Sequence, residues 1–259
     1  MKTLKNLFVI GLTSVICAGF TACSNDDDEQ EVKLPTVFEG KRIAEYQSTQ
    51  NGYTEKTVFN YDNGKLISYS ELEISGNDTY EDKYTIEYNK NQVKVSWKDG
   101  SDSEICTYNL NENGFATSAV LVTHEEGDVW DTNYIFEYDA SGYLTKITEK
   151  GDDYADAAEI KWSEGNVISY SLDNQNYSCT YTSDLNKGGI LPIDNGWLDM
   201  DTELHIAYYA GILGRPTKHL IATQKDYGTE SFQYTLDTEG YVKTCTSDRD
   251  NFTYNYIFK

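Results

Sequence analysis

One cysteine in this chain is placed for a defined covalent reaction. Cys23 follows Phe20-Thr21-Ala22 at the end of an apolar run, Leu7 to Phe20, which sits behind a basic start at Lys2 and Lys5. A charged beginning, an apolar stretch too short to span a bilayer and a small residue before the break make a secretory signal. A cysteine directly after that small residue makes it a lipoprotein signal. Cleavage after Ala22 would free Cys23, whose thiol then takes the lipid. Cys17 is the poorer acceptor, because bulky Ile16 stands where a small residue is needed. Behind Cys23 the chain reads Ser24-Asn25-Asp26-Asp27-Asp28-Glu29. Low hydrophobicity with clustered charge predicts an acidic disordered tether over 23–35.

Other familiar chemistries leave no motif in the chain. There is no Gly-x-Ser-x-Gly elbow, phosphate-binding glycine loop or His-Glu-x-x-His helix. His124, His205 and His219 are far apart and lack ligand spacing. The acidic clusters Glu125-Glu126-Gly127-Asp128 and Gly151–Asp156 offer oxygen ligands of the kind calcium takes, but neither matches an EF-hand loop and both read as solvated hairpin tips. Paired carboxylates can cleave glycosides, yet a chain with 43 acidic residues always offers such pairs, so they identify nothing. The expectation is a non-enzyme with no catalytic residues, no cofactor and no metal site. Cys106, Cys179 and Cys245 lie in strand-like stretches without zinc spacing and read as small buried apolar residues rather than a disulfide framework.

Charge narrows the partners. Removing residues 1–22 reduces the 21 basic residues to 19 against 43 acidic ones, a formal charge of −24. That excess repels phosphate backbones and anionic head groups, which argues against nucleic acid and against electrostatic membrane binding.

The elements that must carry any site come from a repeat. The 22 tyrosines recur in units of aromatic-x-Tyr, a turn, then an apolar strand start. Phe136-Glu137-Tyr138-Asp139-Ala140-Ser141-Gly142-Tyr143-Leu144 is the cleanest, and Phe59–Leu66, Trp162–Val167 and Tyr234–Val242 repeat it. Alternating aromatic and β-branched residues form a strand with one buried face, and Asp, Asn and Gly between two such runs supply the turn. Tyr61, Tyr88, Phe136, Tyr138, Trp162 and Tyr234 are expected on the buried face, with Asn60, Glu87, Glu137, Thr180 and Gln233 in solvent. Roughly fourteen strands fit this repeat, and such units bury their aromatic face only by stacking or closing on one another. The predicted fold is mainly β: an antiparallel meander of consecutive hairpins curled into an open or closed barrel, with one amphipathic helix late in the chain.

That helix falls in the gap of 53 residues between Tyr181 and Tyr234. Asp194-Asn195-Gly196-Trp197 reads as its start, acids at 199, 201 and 203 suit its dipole, and Gly211, Gly214 and Pro216 end it. The single β domain thus spans 36–259 with a helical insertion at about 194–213. Trp197, Met200, Leu204 and Tyr208 form the apolar stripe, expected to contact a ligand between helix and sheet.

The hairpin units, the late helix and the connector Ile212-Leu213-Gly214-Arg215-Pro216-Thr217-Lys218-His219-Leu220 resemble a family of Bacteroides lipoproteins with no assigned function, described as having a porin-like fold. The likeness runs over about 36–259. The Tyr-Asp-x-x-Gly-x-Leu units are also similar to the tyrosine–aspartate repeats of toxin shells, and the acidic run after Cys23 resembles the surface-export signal of Bacteroidota lipoproteins. The resemblance implies fold and place only. It suggests an outer-membrane, lipid-anchored protein exposed at the cell surface, with its membrane contact made through the Cys23 lipid. A membrane-spanning porin is disfavoured, because that needs a continuous apolar band with aromatics confined to two girdles. The expected role is non-enzymatic binding of a small apolar or lipid-like ligand. The competing role is a structural or glycan/peptide-interaction module of a surface assembly.

Overall fold

The structure is a computed structural model that describes residues 34–50, 53–152, 154–172, 175–191, 202–225, 227–249 and 253–259. The signal segment 1–22, Cys23 and the tether as far as residue 33 lie outside the described residues, as do Trp197 and Met200.

Sixteen strands run in chain order: β1 (Ile43–Gln50), β2 (Tyr53–Asp62), β3 (Lys65–Ser75), β4 (Asp78–Asn89), β5 (Gln92–Asp99), β6 (Asp102–Leu110), β7 (Ala116–Glu125), β8 (Asp128–Tyr138), β9 (Leu144–Lys150), β10 (Ala155–Ser163), β11 (Asn166–Leu172), β12 (Gln175–Leu185), β13 (His219–Lys225), β14 (Thr229–Leu236), β15 (Val242–Ser247) and β16 (Thr253–Phe258). Each pairs antiparallel with its neighbours in sequence, and β1 pairs with β16 to close the barrel. The repeat suggested roughly fourteen. The barrel has sixteen, and its closure rests on the two ends of the chain, β1 and β16. One helix, α1 (Thr202–Tyr209), lies in the long connection between β12 and β13.

Two kinds of turn separate the ends of the barrel. The turns that follow even-numbered strands share one end with the start of β1, the finish of β16 and the β12–β13 connection. Three of them are built alike. Asp139 Oδ1 accepts the backbone N–H groups of Ser141 and Tyr143 at 2.8 and 3.0 Å. Asp237 does the same for Glu239 and Tyr241, and Asn111 for Asn113 and Phe115. In each, the glycine three residues on has φ near +83°, a conformation that costs a side chain. The Asp/Asn-x-x-Gly-aromatic spacing seen in sequence is therefore a local hydrogen-bond pattern.

The strand faces follow the alternation. Phe136, Phe59, Tyr69, Tyr108, Tyr134 and Tyr170 are buried inside, and Tyr61, Tyr88, Tyr138, Trp162 and Tyr234 pack against that core while partly buried. Asn60, Glu87, Asn133, Glu137, Thr180 and Gln233 are exposed on the outer wall. Cross-strand hydroxyl pairs run over that wall, among them Thr180–Thr223 and Thr235–Thr244, each at 2.6 Å, and Lys56 bridges to Glu45 at 2.8 Å. A lipid-facing barrel carries an apolar band at these positions; here they are polar, and the apolar face is turned inward. Cys106, Cys179 and Cys245 are buried in the strands, as expected of small apolar fillers.

Candidate functional site in the lumen

A sixteen-stranded barrel is too wide for its own side chains to fill. Here α1 and a ring of tyrosines occupy the lumen. Glu203, Leu204, Ile206, Ala207, Tyr208 and Tyr209 are all buried, so the helix is covered on every side instead of along the single apolar stripe that its sequence suggested. The wall reaches it directly. Tyr108 of β6 donates to the Glu203 carbonyl at 2.8 Å, and the Phe59 ring of β2 meets Tyr209 at 4.8 Å. The helix ends at Gly211, φ +83°, where Ile212 N–H returns to the Ala207 carbonyl and Gly211 N–H to that of Tyr208. That is the double bond pattern by which a glycine closes a helix.

Beyond the helix, residues 210–218 strap the turn-rich end. Ala116 N–H donates to Ile212 O, Arg215 N–H to Gly142 O and Lys218 N–H to Gly165 O, so three successive wall turns are tied to one segment. Phe38, ahead of β1, packs edge-on to Tyr208 at 5.8 Å. We call this end plugged. A cavity of about 520 Å³ lies outside the plug, lined by Phe38, Tyr143, Lys187, Arg215 and Tyr241 among others. Several of its polar groups are engaged: Lys187 Nζ with Glu239 O, Arg215 Nε with Ser141 O, Asn186 with Ile190 and Thr217.

The opposite end differs. A cavity of about 480 Å³ opens there between the strand walls and the start of α1. Glu104 on β6, Thr123 and Glu125 on β7, Trp130 and Thr132 on β8, and Glu149 on β9 line it, with Tyr84, Leu121, Tyr154, Thr202 and Glu203. The walls are aligned by register: Glu104 faces Thr123, Thr123 faces Trp130, and Leu121 faces Thr132. Tyr154 donates to Glu149 Oε1 at 2.5 Å. Burial, and then the carboxylates of Glu203 and Glu104, push the Tyr84 phenol well above its ordinary value. Deeper in the lumen, Tyr69 donates to Glu71 Oε1 at 2.6 Å and lies 3.2 Å from His205 Nδ1. Burial raises the Glu71 carboxyl and lowers the His205 imidazole to about 4.

Of the four residues expected to touch a ligand, Leu204 and Tyr208 are described. Both are buried, and the Tyr208 hydroxyl donates to Gly189 O at 2.8 Å. Neither lines either cavity. The helix meets the open-end cavity through Thr202 and Glu203, less than a turn before Leu204. Sequence reasoning missed the cavity walls. The signal was a phase: Glu104, Thr123, Glu125 and Thr132 stand an even number of residues from buried Cys106, Leu121 and Tyr134, hence on the inward face. Among the described residues, no group of acidic, histidine or cysteine side chains is arranged to hold a metal ion, and no helix is long and apolar enough to cross a membrane.

These features define a plugged, up-and-down β-barrel with a polar exterior and an aromatic lumen. The chain belongs to the family described as a domain of unknown function (DUF4595) with porin-like fold, whose model matches residues 59–242. It is similar to a crystal structure of a porin-like protein from Bacteroides uniformis, with a TM-score of 0.70 and 23% identity over 87% of this chain and 100% of that one. A porin-like protein from Bacteroides vulgatus matches with a TM-score of 0.53 and 14% identity, over 85% of this chain and 99% of that one. At these identities the likeness shows the fold. No curated protein matches the chain.

Proposed function

We propose that this protein is a non-enzymatic binding vessel: a barrel held in the cell envelope by a lipid on Cys23, taking a small ligand into its open end between the strand walls and the start of α1. The observation that carries the reading is the asymmetry of the lumen. At one end the strap separates the cavity of about 520 Å³ from the lumen, while at the other a cavity of about 480 Å³ opens between the lumen walls themselves, within the roughly 300–1,000 Å³ usual for small-molecule sites. Outward Lys, Glu, Asn and Thr argue that the wall faces water, so attachment falls to the lipid signal and not to the barrel. The signal's acidic sequel supports display at the outer surface of the outer membrane. Leu204 and Tyr208 fix the helix that floors the site. The mouth carries carboxylates and aromatics, so a purely apolar ligand is a poorer fit than the sequence suggested.

The test has two arms. Thr132→Trp would fill the cavity from its wall. Titration with palmitate, an oligosaccharide and spermidine, followed by Trp130 fluorescence, should give a saturable change for at least one of them, lost in Thr132→Trp. No change from any of the three would leave the runner-up role, a structural or glycan/peptide-interaction module. For the anchor, labelling of growing cells with a clickable fatty acid should mark the protein and fail to mark Cys23→Ala; a labelled Cys23→Ala protein would overturn it.

A further inference from the structure

We propose that the open-end cavity is a receptor site for an extended organic polycation of the linear polyamine class. The inference rests on the reading of the lumen as a binding vessel and assigns that vessel its ligand chemistry.

Four carboxylates, those of Glu104, Glu125, Glu149 and Glu203, border one cavity whose lining among the described residues includes no lysine or arginine. Glu104 and Glu125 have no ion pair or hydrogen-bond partner among the described residues. Three hydroxyls turned to the same space are likewise unengaged: those of Tyr84, Thr123 and Thr132, each on a residue more than nine-tenths buried (6, 8 and 6% exposed). These hydroxyl oxygens are reached from the cavity and are not sealed away from it, so they stand ready to accept a ligand's N–H donors. Ammonium groups donate and do not accept, which suits carboxylates and hydroxyl oxygens together.

The spread of the carboxylates selects the shape of the cation. Glu104 on β6 and Glu149 on β9 are three strand spacings apart, about 14 Å across the strands, and Glu149 pairs with Tyr134, four residues along β8 from the Trp130 that is level with Glu104. A metal ion gathers its oxygens within about 2.6 Å, and no such gathering exists among the described residues. A flexible chain with ammonium groups separated by methylenes can serve distant carboxylates in turn. Its methylene stem and charges would lie on Tyr84, Trp130 and Tyr154, the faces that attract cations. The helix N-terminus beside the cavity would by itself favour an anion, but Glu203 in its first turn provides that negative charge from the protein. Acidic hairpin tips at the same end, Asp99–Asp102 and Glu125–Asp128, raise the local concentration of cations.

The test is calorimetric and fluorescence titration of the purified full-length protein with spermidine at low and high salt. A neutral diol of similar length and magnesium chloride serve as comparison probes. Saturable one-to-one binding of spermidine, weakened by salt, is expected, with neither comparison probe competing. Glu104→Gln with Glu125→Gln should weaken it by roughly tenfold or more while leaving the melting temperature in place. Glu87→Gln with Glu137→Gln, on the outer wall, should leave affinity unchanged, and Trp130→Phe should remove most of the fluorescence change. Equal affinity in the cavity double variant, or equal weakening by the outer-wall pair, would overturn the assignment in favour of diffuse attraction to an acidic surface. If spermidine fails while palmitate or an oligosaccharide still moves the Trp130 signal, the polycation assignment falls and the vessel reading stands. If none of the three moves it, both fall.

Discussion

The hydroxyl of Tyr108 and the carbonyl of Glu203 meet at 2.8 Å, a wall side chain holding the first turn of the helix it surrounds. The two are 95 residues apart in sequence, and the bond is buried, so it ties the position of the plug to strand β6. Tyr108→Phe keeps the ring and its stacking on Phe136, 6.3 Å away, and deletes only the donor. The Glu203 carbonyl then keeps its place in the helix but loses the bond from the wall, which costs about 0.5–1.5 kcal/mol. Urea denaturation should read that loss with little change in the slope.

The imidazole of His205 makes stability depend on pH. The short Tyr69–Glu71 bond takes the Tyr69 proton, so His205 carries its hydrogen on Nδ1 and donates to the Tyr69 oxygen. Burial holds its pKa at about 4, below the ordinary 6.5. Between those values the unfolded chain binds a proton that the folded one does not. Stability therefore falls as pH drops from 6.5 to 4, by up to about 3 kcal/mol. Glu71 acts with the opposite sign: its raised pKa costs stability as pH climbs from the ordinary carboxyl value toward the folded one. The difference between wild type and His205→Gln isolates the imidazole. The variant's melting curves should lack the loss below pH 6.5. A variant that still showed the full loss would put the titrating group elsewhere.

Two neighbouring residues on β8 report which face is inside. Phe136 is 4% exposed and Ile135 is 54% exposed. Phe136→Ala should cost about 3–5 kcal/mol, whereas Ile135→Ala should stay within about 0.5 kcal/mol. A membrane-facing barrel would reverse the order in detergent. Thermal melts of the two variants in plain buffer make the comparison.

Gly214 is where the strap crosses the wall. At φ +91°, a Cβ there would stand 3.1 Å from Leu144 N and 3.2 Å from Gly142 O, both backbone atoms that cannot swing away. Gly76, at an open-end turn, has φ +62° and nothing within 4 Å of the same position. Gly76→Ala should pay only for the backbone, about 1 kcal/mol. Gly214→Ala should cost about 2 kcal/mol or more and speed amide exchange at Arg215 and Lys218. Equal effects at the two sites would mean that the strap does not bear on the wall.

The alternation of the strands, the Asp-x-x-Gly turns and the meander were legible in the chain, because a strand's two faces and a hairpin's turn are decided by residues within about ten positions of one another. Phe136 against Glu137, and Asp139 against Gly142, are such local choices. What the sequence could not state was closure, since β1 and β16 meet only after every intervening hairpin has added its twist. Nor could it say that α1 goes inside. A helix lying over a sheet and one enclosed by it bury the same leucine and tyrosine, and only the width of sixteen strands leaves room for the second. The open-end cavity was least legible of all. Glu104, Glu125 and Glu149 look like three of many surface acids until the curvature of the wall brings β6, β7 and β9 around one space, with Glu203 supplied from a helix far later in the chain.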